Sequence, residues 1–196
     1  NAPLPQLVQD FLSLVHKAPP LFSSSFPCSI MQIDAAVKRE AVGMGEKEQY
    51  MAQALALARQ ALETGDVPVG CVVVQHGRIV GRGRNQREEK QNALLHAEIE
   101  AVDQACKALG RWRLEDCALY VTLEPCPMCA GAILQARIPQ VIFGARDPKG
   151  GAMGGVLDLF WENFNHRPAV IAGVMEQECA ELLKNFFDKK RLGKRI

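Results

Sequence analysis

The chain has 196 residues, 48% of them hydrophobic and 23% charged, which suits one globular domain large enough to bury a core. No run approaches the roughly 20 unbroken apolar residues of a spanning helix, so a soluble protein is expected. The 23 Lys and Arg against 22 Asp and Glu leave +1 overall, so nucleic acid could be held only by local basic patches, not by global charge.

Residues 1–45 differ in character from the rest. Pro3, Pro5, Pro19, Pro20 and Pro27 with Ser23, Ser24 and Ser25 read as a linker-like extension, and no basic start precedes an apolar run as in a signal peptide. Leu4, Leu7, Val8, Phe11, Leu12 and Val15 keep helical spacing and predict a short amphipathic helix. The chain starts with Asn1 while Met31 and Met44 are internal, so the natural domain is expected to begin near Met44. The extension is then upstream sequence or non-native, and 46–196 is the working domain.

From Glu46 the pattern becomes regular. Tyr50, Ala54, Leu55, Leu57, Ala58, Ala61 and Leu62 predict an apolar helix face that stops at Gly65. Val67 to Gln75 reads as a buried strand, His76-Gly77 as a hairpin turn and Arg78 to Arg84 as the partner strand. A polar loop over 85–92 leads to a helix from His96 to Leu109, closed by Gly110. Ala118 to Leu123 is a third strand. Pro125 is expected to stop it and open a helix from Cys126 to Gln135. Gln140 to Gly144 is a fourth strand, 144–155 a glycine-rich loop, Ala169 to Val174 a fifth strand, and Glu176 to Leu192 a closing helix. The alternation implies a three-layer α/β domain.

Two half-motifs on this map carry chemistry. His96-Ala97-Glu98 is followed, 28 residues after Glu98, by Cys126 of the run Pro125-Cys126-Pro127-Met128-Cys129. Both lie where a strand or loop feeds a helix N-terminus, whose positive end favours thiolates. Cys126 and Cys129, three apart, share one face of a turn, and His96 can complete a His-Cys-Cys set. Such a zinc site keeps a fourth position for water, whose pKa falls to about 7, and Glu98 is free to move protons. On a regular helix His96 and Glu98 would point to nearly opposite sides, so they converge only if His96 lies at the helix mouth. A C-x-x-C alone is equally a redox pair or half a structural zinc knuckle, and His-x-Glu arises by chance on many helices. A structural site would recruit a fourth ligand, and the nearest candidates, Cys106 and Cys117, lack paired spacing. Seven dispersed Cys argue against a secreted disulfide framework and for a reducing cytoplasm. Cys71, Cys106, Cys117 and Cys179 read as core or partly exposed thiols.

Around these residues, His96-Ala97-Glu98-Ile99-Glu100-Ala101, the run from Tyr120 through Cys129 to Ala132, and the segment from Phe143 to Gly151 resemble the bacterial tRNA-specific adenosine deaminases. The resemblance runs from about Glu46 to the C-terminal helix. Its zinc motif is shared by the whole cytidine-deaminase-like superfamily, and the loop starting at Phe143 narrows it to the tRNA enzymes. It implies a three-layer α/β/α fold with a central mixed five-stranded sheet, one Zn2+ per chain on His96, Cys126 and Cys129, and Glu98 as proton carrier. The implied reaction is hydrolytic attack at C6 of adenine, giving inosine at the wobble position of a tRNA anticodon. It implies further that Asn85 contacts the flipped nucleotide, that Ala97 offers backbone groups to the base, and that Asp147 accepts from a ribose 2′-OH. Read alone, Asn85 is equally a turn residue and Asp147 an Asp-Pro turn. The same chemistry would serve a deaminase of free cytosine, guanine or a nucleotide, and a noncatalytic zinc-stabilised RNA-binding module would not need Glu98.

Two basic clusters are candidates for phosphate contacts: Arg78, Arg82, Arg84, Arg87 and Lys90 against Glu88 and Glu89, and Lys184, Lys189, Lys190, Arg191, Lys194 and Arg195 against Glu181 and Asp188. The second is equally a solvated helix end whose cations complement the dipole. Of Phe186 and Phe187, one is expected in the core and the other, Phe187 in this reading, stacked on an anticodon-loop base. The resemblance also implies a homodimer, for which Ala130-Gly131-Ala132 offers a small-residue surface that could equally pack within the chain.

Overall fold

Apolar residues at helical spacing from Tyr50 onward wind the first described element, α1 (Glu46–Glu63), which buries Met51, Ala54, Leu55, Ala58 and Ala61. Glu46 and Glu48 complement the dipole at its start, and Gly65 (φ 77°) ends it. The computed structural model describes residues 44–193. Residues 1–43 of the 1–45 extension, with its predicted amphipathic helix, lie outside the described residues, as do Lys194 and Arg195.

Strands β1 (Gly70–Gln75) and β2 (Arg78–Arg84) form a hairpin across His76 (φ 46°) and Gly77 (φ 76°), the two left-handed positions of a tight primed turn. Then follow a short helix α2 (Arg87–Lys90), helix α3 (Ala97–Leu109), strand β3 (Cys117–Leu123), helix α4 (Pro127–Gln135), strand β4 (Gln140–Ala145), strand β5 (Ala169–Ala172) and helix α5 (Glu176–Gly193). The sheet order is β2-β1-β3-β4-β5, with β1 antiparallel to β2 and β3, and β3, β4 and β5 parallel. The five-stranded mixed sheet anticipated from the sequence is therefore present.

Side-chain alternation along the central strands builds two cores. Cys71, Val73, Leu119, Val121, Val141 and Phe143 face α3 and α4, where Ala97, Ala101, Ala105, Ala130 and Ile133 meet them. Val72, Val74, Tyr120 and Ile142 face α1 and α5, against Met51, Leu55 and Cys179. Buried on both faces, these strands read as near-continuous apolar runs. Gly81 and Gly83 let α3 lie directly on β2: a Cβ at Gly83 would stand 2.0 Å from Ala97 O, and one at Gly81 2.1 Å from Ala101 O.

Several boundaries differ from expectation, each for a local reason. β1 begins at Gly70 rather than Val67, because Pro68 has no N–H and Val69 N closes a tight turn onto Val67 O at 2.8 Å. Pro127, not Pro125, takes the first position of α4. The polar loop after β2 contains α2, since the buried Asp66 carboxylate accepts from Glu88 N at 2.9 Å and Glu89 N at 3.1 Å. Beyond the glycine-rich loop, Asp158 caps a 3-10 turn (Leu159–Trp161) by accepting from Phe160 N. β5 ends at Ala172, where Gly173 (φ 86°) turns the chain away.

Candidate active site

Two chain entries into helices converge. His96 is the residue before α3, in extended conformation (φ −81°, ψ 152°), and Cys126 stands likewise before α4 (φ −74°, ψ 171°). His96 thus lies at the helix mouth, and the apparent conflict with Glu98 disappears: Glu98 is in the first turn, buried, on the same side as the ligands.

His96 Nδ1 lies 3.7 Å from Cys126 Sγ and 3.5 Å from Cys129 Sγ, and all three ligand atoms fall within 4.8 Å of one another. With Zn–S near 2.3 Å and Zn–N near 2.0–2.1 Å, a tetrahedral zinc requires N···S edges of about 3.6 Å. One imidazole and two thiols at that spacing fit zinc. The second Glu98 oxygen, Oε2, is buried without a hydrogen-bond partner among the described residues, an orphaned acceptor of the kind a water held at this cluster would satisfy.

The electrostatics agree with ligand duty. The Cys126 thiol is pushed down to about 3, first by the Cys129 S–H donating to its thiolate and then by His96. The same contact, with burial, pushes Cys129 up, so one negative charge is shared between the sulfurs. The Cys126 contact raises His96, against burial, which lowers it. Burial raises the Glu98 carboxyl above the usual range, the direction that suits a group exchanging protons near neutrality.

Asn85 closes β2 and bridges to α3. It is buried, its N donates to Val69 O, and its Oδ1 accepts from Ala97 N at 3.1 Å. The turn reading and the site reading of Asn85 therefore coincide, and with the oxygen committed, the Nδ2 group is what it can present to a ligand. Ala97 is fully buried, its N–H occupied by Asn85 and its carbonyl packed over Gly83. Asp147 also makes the expected turn, Oδ1 accepting from Lys149 N at 2.9 Å and its carbonyl from Gly151 N.

Phe187 is 45% exposed, in an edge-to-face contact with Phe186, which is the buried member of the pair. No described contact joins Phe187 to the His96 cluster. Arg84 departs from expectation: it is bound to Glu89 at 2.7 Å and to Thr64, while Lys90 lies 3.5 Å from Glu89, so half the negative charge thought to oppose this basic cluster is engaged inside it. On α5, Arg191 pairs with Asp188 and Lys190 lies over the Phe186 ring. Gly131 has nothing within 4 Å of a Cβ position, so its small size serves no packing within the described chain.

Sequence reasoning missed the buried carboxylates of Asp66 and Glu124. For Glu124 a signal existed: an acid at the end of an apolar strand, followed by a loop whose glycines leave backbone N–H groups approachable. A hollow of about 310 Å³ lined by Asp158, Phe160, Trp161, Arg167, Pro168 and Val170 contains none of the predicted site residues.

Residues 45–191 match the family of MafB19-like deaminases. The tRNA-specific adenosine deaminase of Bacillus subtilis is 50% identical over 153 residues, covering 78% of this chain and 95% of that protein. Its counterpart from Agrobacterium fabrum is 47% identical over 150 residues, covering 76% and 99%. A structure solved in a study of A-to-I editing by tRNA:A34 deaminases superposes with a TM-score of 0.65 at 47% identity, covering 68% of this chain and 98% of that one. A guanine deaminase from Nitrosomonas europaea (TM-score 0.61, 19% identity) shares the fold alone.

Proposed function

This chain belongs to the tRNA-specific adenosine deaminases, and from that premise we propose that it converts adenosine to inosine at the wobble position of a tRNA anticodon by zinc-dependent hydrolysis. The observation that carries the reading is the tetrahedral spacing of His96, Cys126 and Cys129 beside the buried Glu98. Bound there, zinc supplies the Lewis acidity that brings the pKa of a water near 7. Glu98 takes one proton from the attacking water and delivers it to adenine N1, then takes the second proton from the new C6 hydroxyl and delivers it to the exocyclic amine. The C6–O bond forms, the C6–N bond breaks, and ammonia leaves. The low-dielectric surroundings that raise the Glu98 carboxyl keep it able to accept and to return that proton.

The remaining residues bind and orient. Asn85 donates from Nδ2 to the flipped base while its oxygen fixes the start of α3. Ala97 forms the buried floor beside it. Asp147 Oδ2, left over from the turn, accepts from a ribose 2′-OH, and Phe187 stacks on an anticodon-loop base. Lys184, Lys189 and Lys190 on α5 meet phosphates. The open face of Gly131 forms part of a homodimer contact. Seven dispersed cysteines suit an enzyme that works in the reducing cytoplasm. Among the described residues no helix is long and apolar enough to cross a membrane.

The test uses zinc-loaded protein and its Glu98→Ala variant with an adenosine-bearing anticodon stem-loop, the matched DNA, and free bases. Inosine from the RNA alone, absent with the variant, is the expected result. Turnover of free bases only would reject the tRNA reading, and RNA binding without any Glu98-dependent product would reject catalysis.

A further inference from the structure

The mechanism above leaves Glu124 without a role, yet it is among the most enclosed charged groups in the protein, 2% exposed. Its partners are backbone N–H groups of one loop. Oε2 accepts from Asp147 N at 3.0 Å, and Oε1 accepts from Met153 N at 2.9 Å and Gly155 N at 2.8 Å. Its own N donates to Ala145 O, and the next carbonyl, Pro125 O, accepts from Ala152 N, both at 2.9 Å. The residues just ahead of Cys126 therefore grip both arms of the 146–155 loop.

The glycines of this loop make the grip possible. A Cβ at Gly151 would stand 2.4 Å from the Glu124 carboxyl carbon, and one at Gly155 2.7 Å from Oε2. The loop wraps an anion as closely as backbone can, and the buried charge is compensated by oriented N–H dipoles. Its outer side leaves Arg146, Pro148 and Lys149 exposed, with Asp147 between them. The loop is thus suspended from the turn that carries two metal ligands.

We propose that Glu124 is a positioning residue for the RNA: its carboxylate holds the Asp147–Gly155 loop in register with the Cys126 turn, so that substrate gripped by the loop arrives with its base at Glu98. This rests on the tRNA deaminase reading given above. Glu124 touches neither the metal ligands' donor atoms nor the reacting atoms, so its effect is on substrate placement rather than on proton transfer.

Glu124→Gln tests it, since the amide keeps the volume but turns an NH2 toward backbone donors. KM for the anticodon stem-loop should rise about tenfold or more, with kcat held within about threefold and zinc content per chain unchanged. A variant that is merely less stable loses active enzyme and therefore apparent kcat, not KM. A fall in kcat or zinc content at constant KM would overturn the proposal, as would wild-type behaviour.

Amide hydrogen exchange on the zinc-loaded wild-type protein needs no variant. Met153 and Gly155 should be protected without RNA, well beyond Gly150. Protection that arises only when the stem-loop binds would show that substrate, not Glu124, orders the loop, and would overturn the proposal. Should the wild type fail to deaminate the stem-loop, the functional reading falls, while the exchange result still decides whether Glu124 anchors the loop.

Discussion

Gly83→Ala perturbs the site from the far side of α3. A Cβ there would stand 2.0 Å from Ala97 O and 2.7 Å from Ala101 N, backbone atoms that cannot rotate aside. To restore an ordinary 3.4 Å contact, α3 and β2 must part by about 1.4 Å. The Asn85–Ala97 hydrogen bond at 3.1 Å spans the same seam, and His96 and Glu98 ride on the helix that moves. Cys126 and Cys129 ride on α4 and stay. Overpacking of this kind costs about 1–3 kcal/mol, and at about 2–4 °C per kcal/mol the melting temperature should fall by several degrees. A ligand and proton carrier displaced by about 1 Å should lower kcat/KM on the stem-loop by about 100-fold, with weaker zinc retention against a chelator. Thermal denaturation, metal analysis and initial rates on one preparation check this. A lower melting temperature with zinc retention and rate unchanged would refute the coupling of the β2 seam to the site, and an unchanged melting temperature would refute the steric argument itself.

Other outcomes follow from the same geometry. Glu98→Gln should lower kcat by about 100- to 10,000-fold while zinc content stays at the wild-type level, because in the proposed mechanism the side chain moves protons and is not a ligand. Asn85→Asp preserves an acceptor for Ala97 N but removes the Nδ2 donor, so KM on the stem-loop should rise with little change in melting temperature, whereas Asn85→Ala should lower both stability and affinity. Gly131→Ala places a methyl in open space on a helix: in a monomer it should stabilise by about 1 kcal/mol, while in the proposed homodimer it should shift the monomer–dimer equilibrium measured by sedimentation toward monomer. Iodoacetamide at neutral pH should spare Cys179 and Cys117, whose thiols burial pushes up to about 12 and about 11.

Much of this protein is legible in its sequence because its central strands are buried on both faces and its helices carry one apolar stripe. Runs such as Gly70–Gln75 and Cys117–Leu123 announce themselves by composition, and α1 by periodicity. The metal cluster is legible because its ligands sit at two adjacent helix starts, where local spacing determines the geometry. The anchoring carboxylates were far less so, for a physical reason. Glu124 and Asp66 bind backbone N–H groups 20 or more residues away, and such donors have no side-chain signature, the glycines after Glu124 being the one hint. The sequence shows a glycine-rich loop over 144–155 but not that Gly151 and Gly155 leave room for a carboxylate. The fate of Arg84 was equally hidden, since only the fold places Glu89 and Thr64 around it.

Addition of water to C6 of an adenosine held in RNA leaves an isotopic mark on the product. The most direct measurement runs the zinc-loaded enzyme on an adenosine-bearing anticodon stem-loop in 18O-labelled water, digests the product to nucleosides and resolves them by mass spectrometry. Inosine at the wobble position carrying the heavy oxygen, with ammonia released in equal amount, is the expected result. Adenosine left intact under conditions where the protein holds zinc would contradict it.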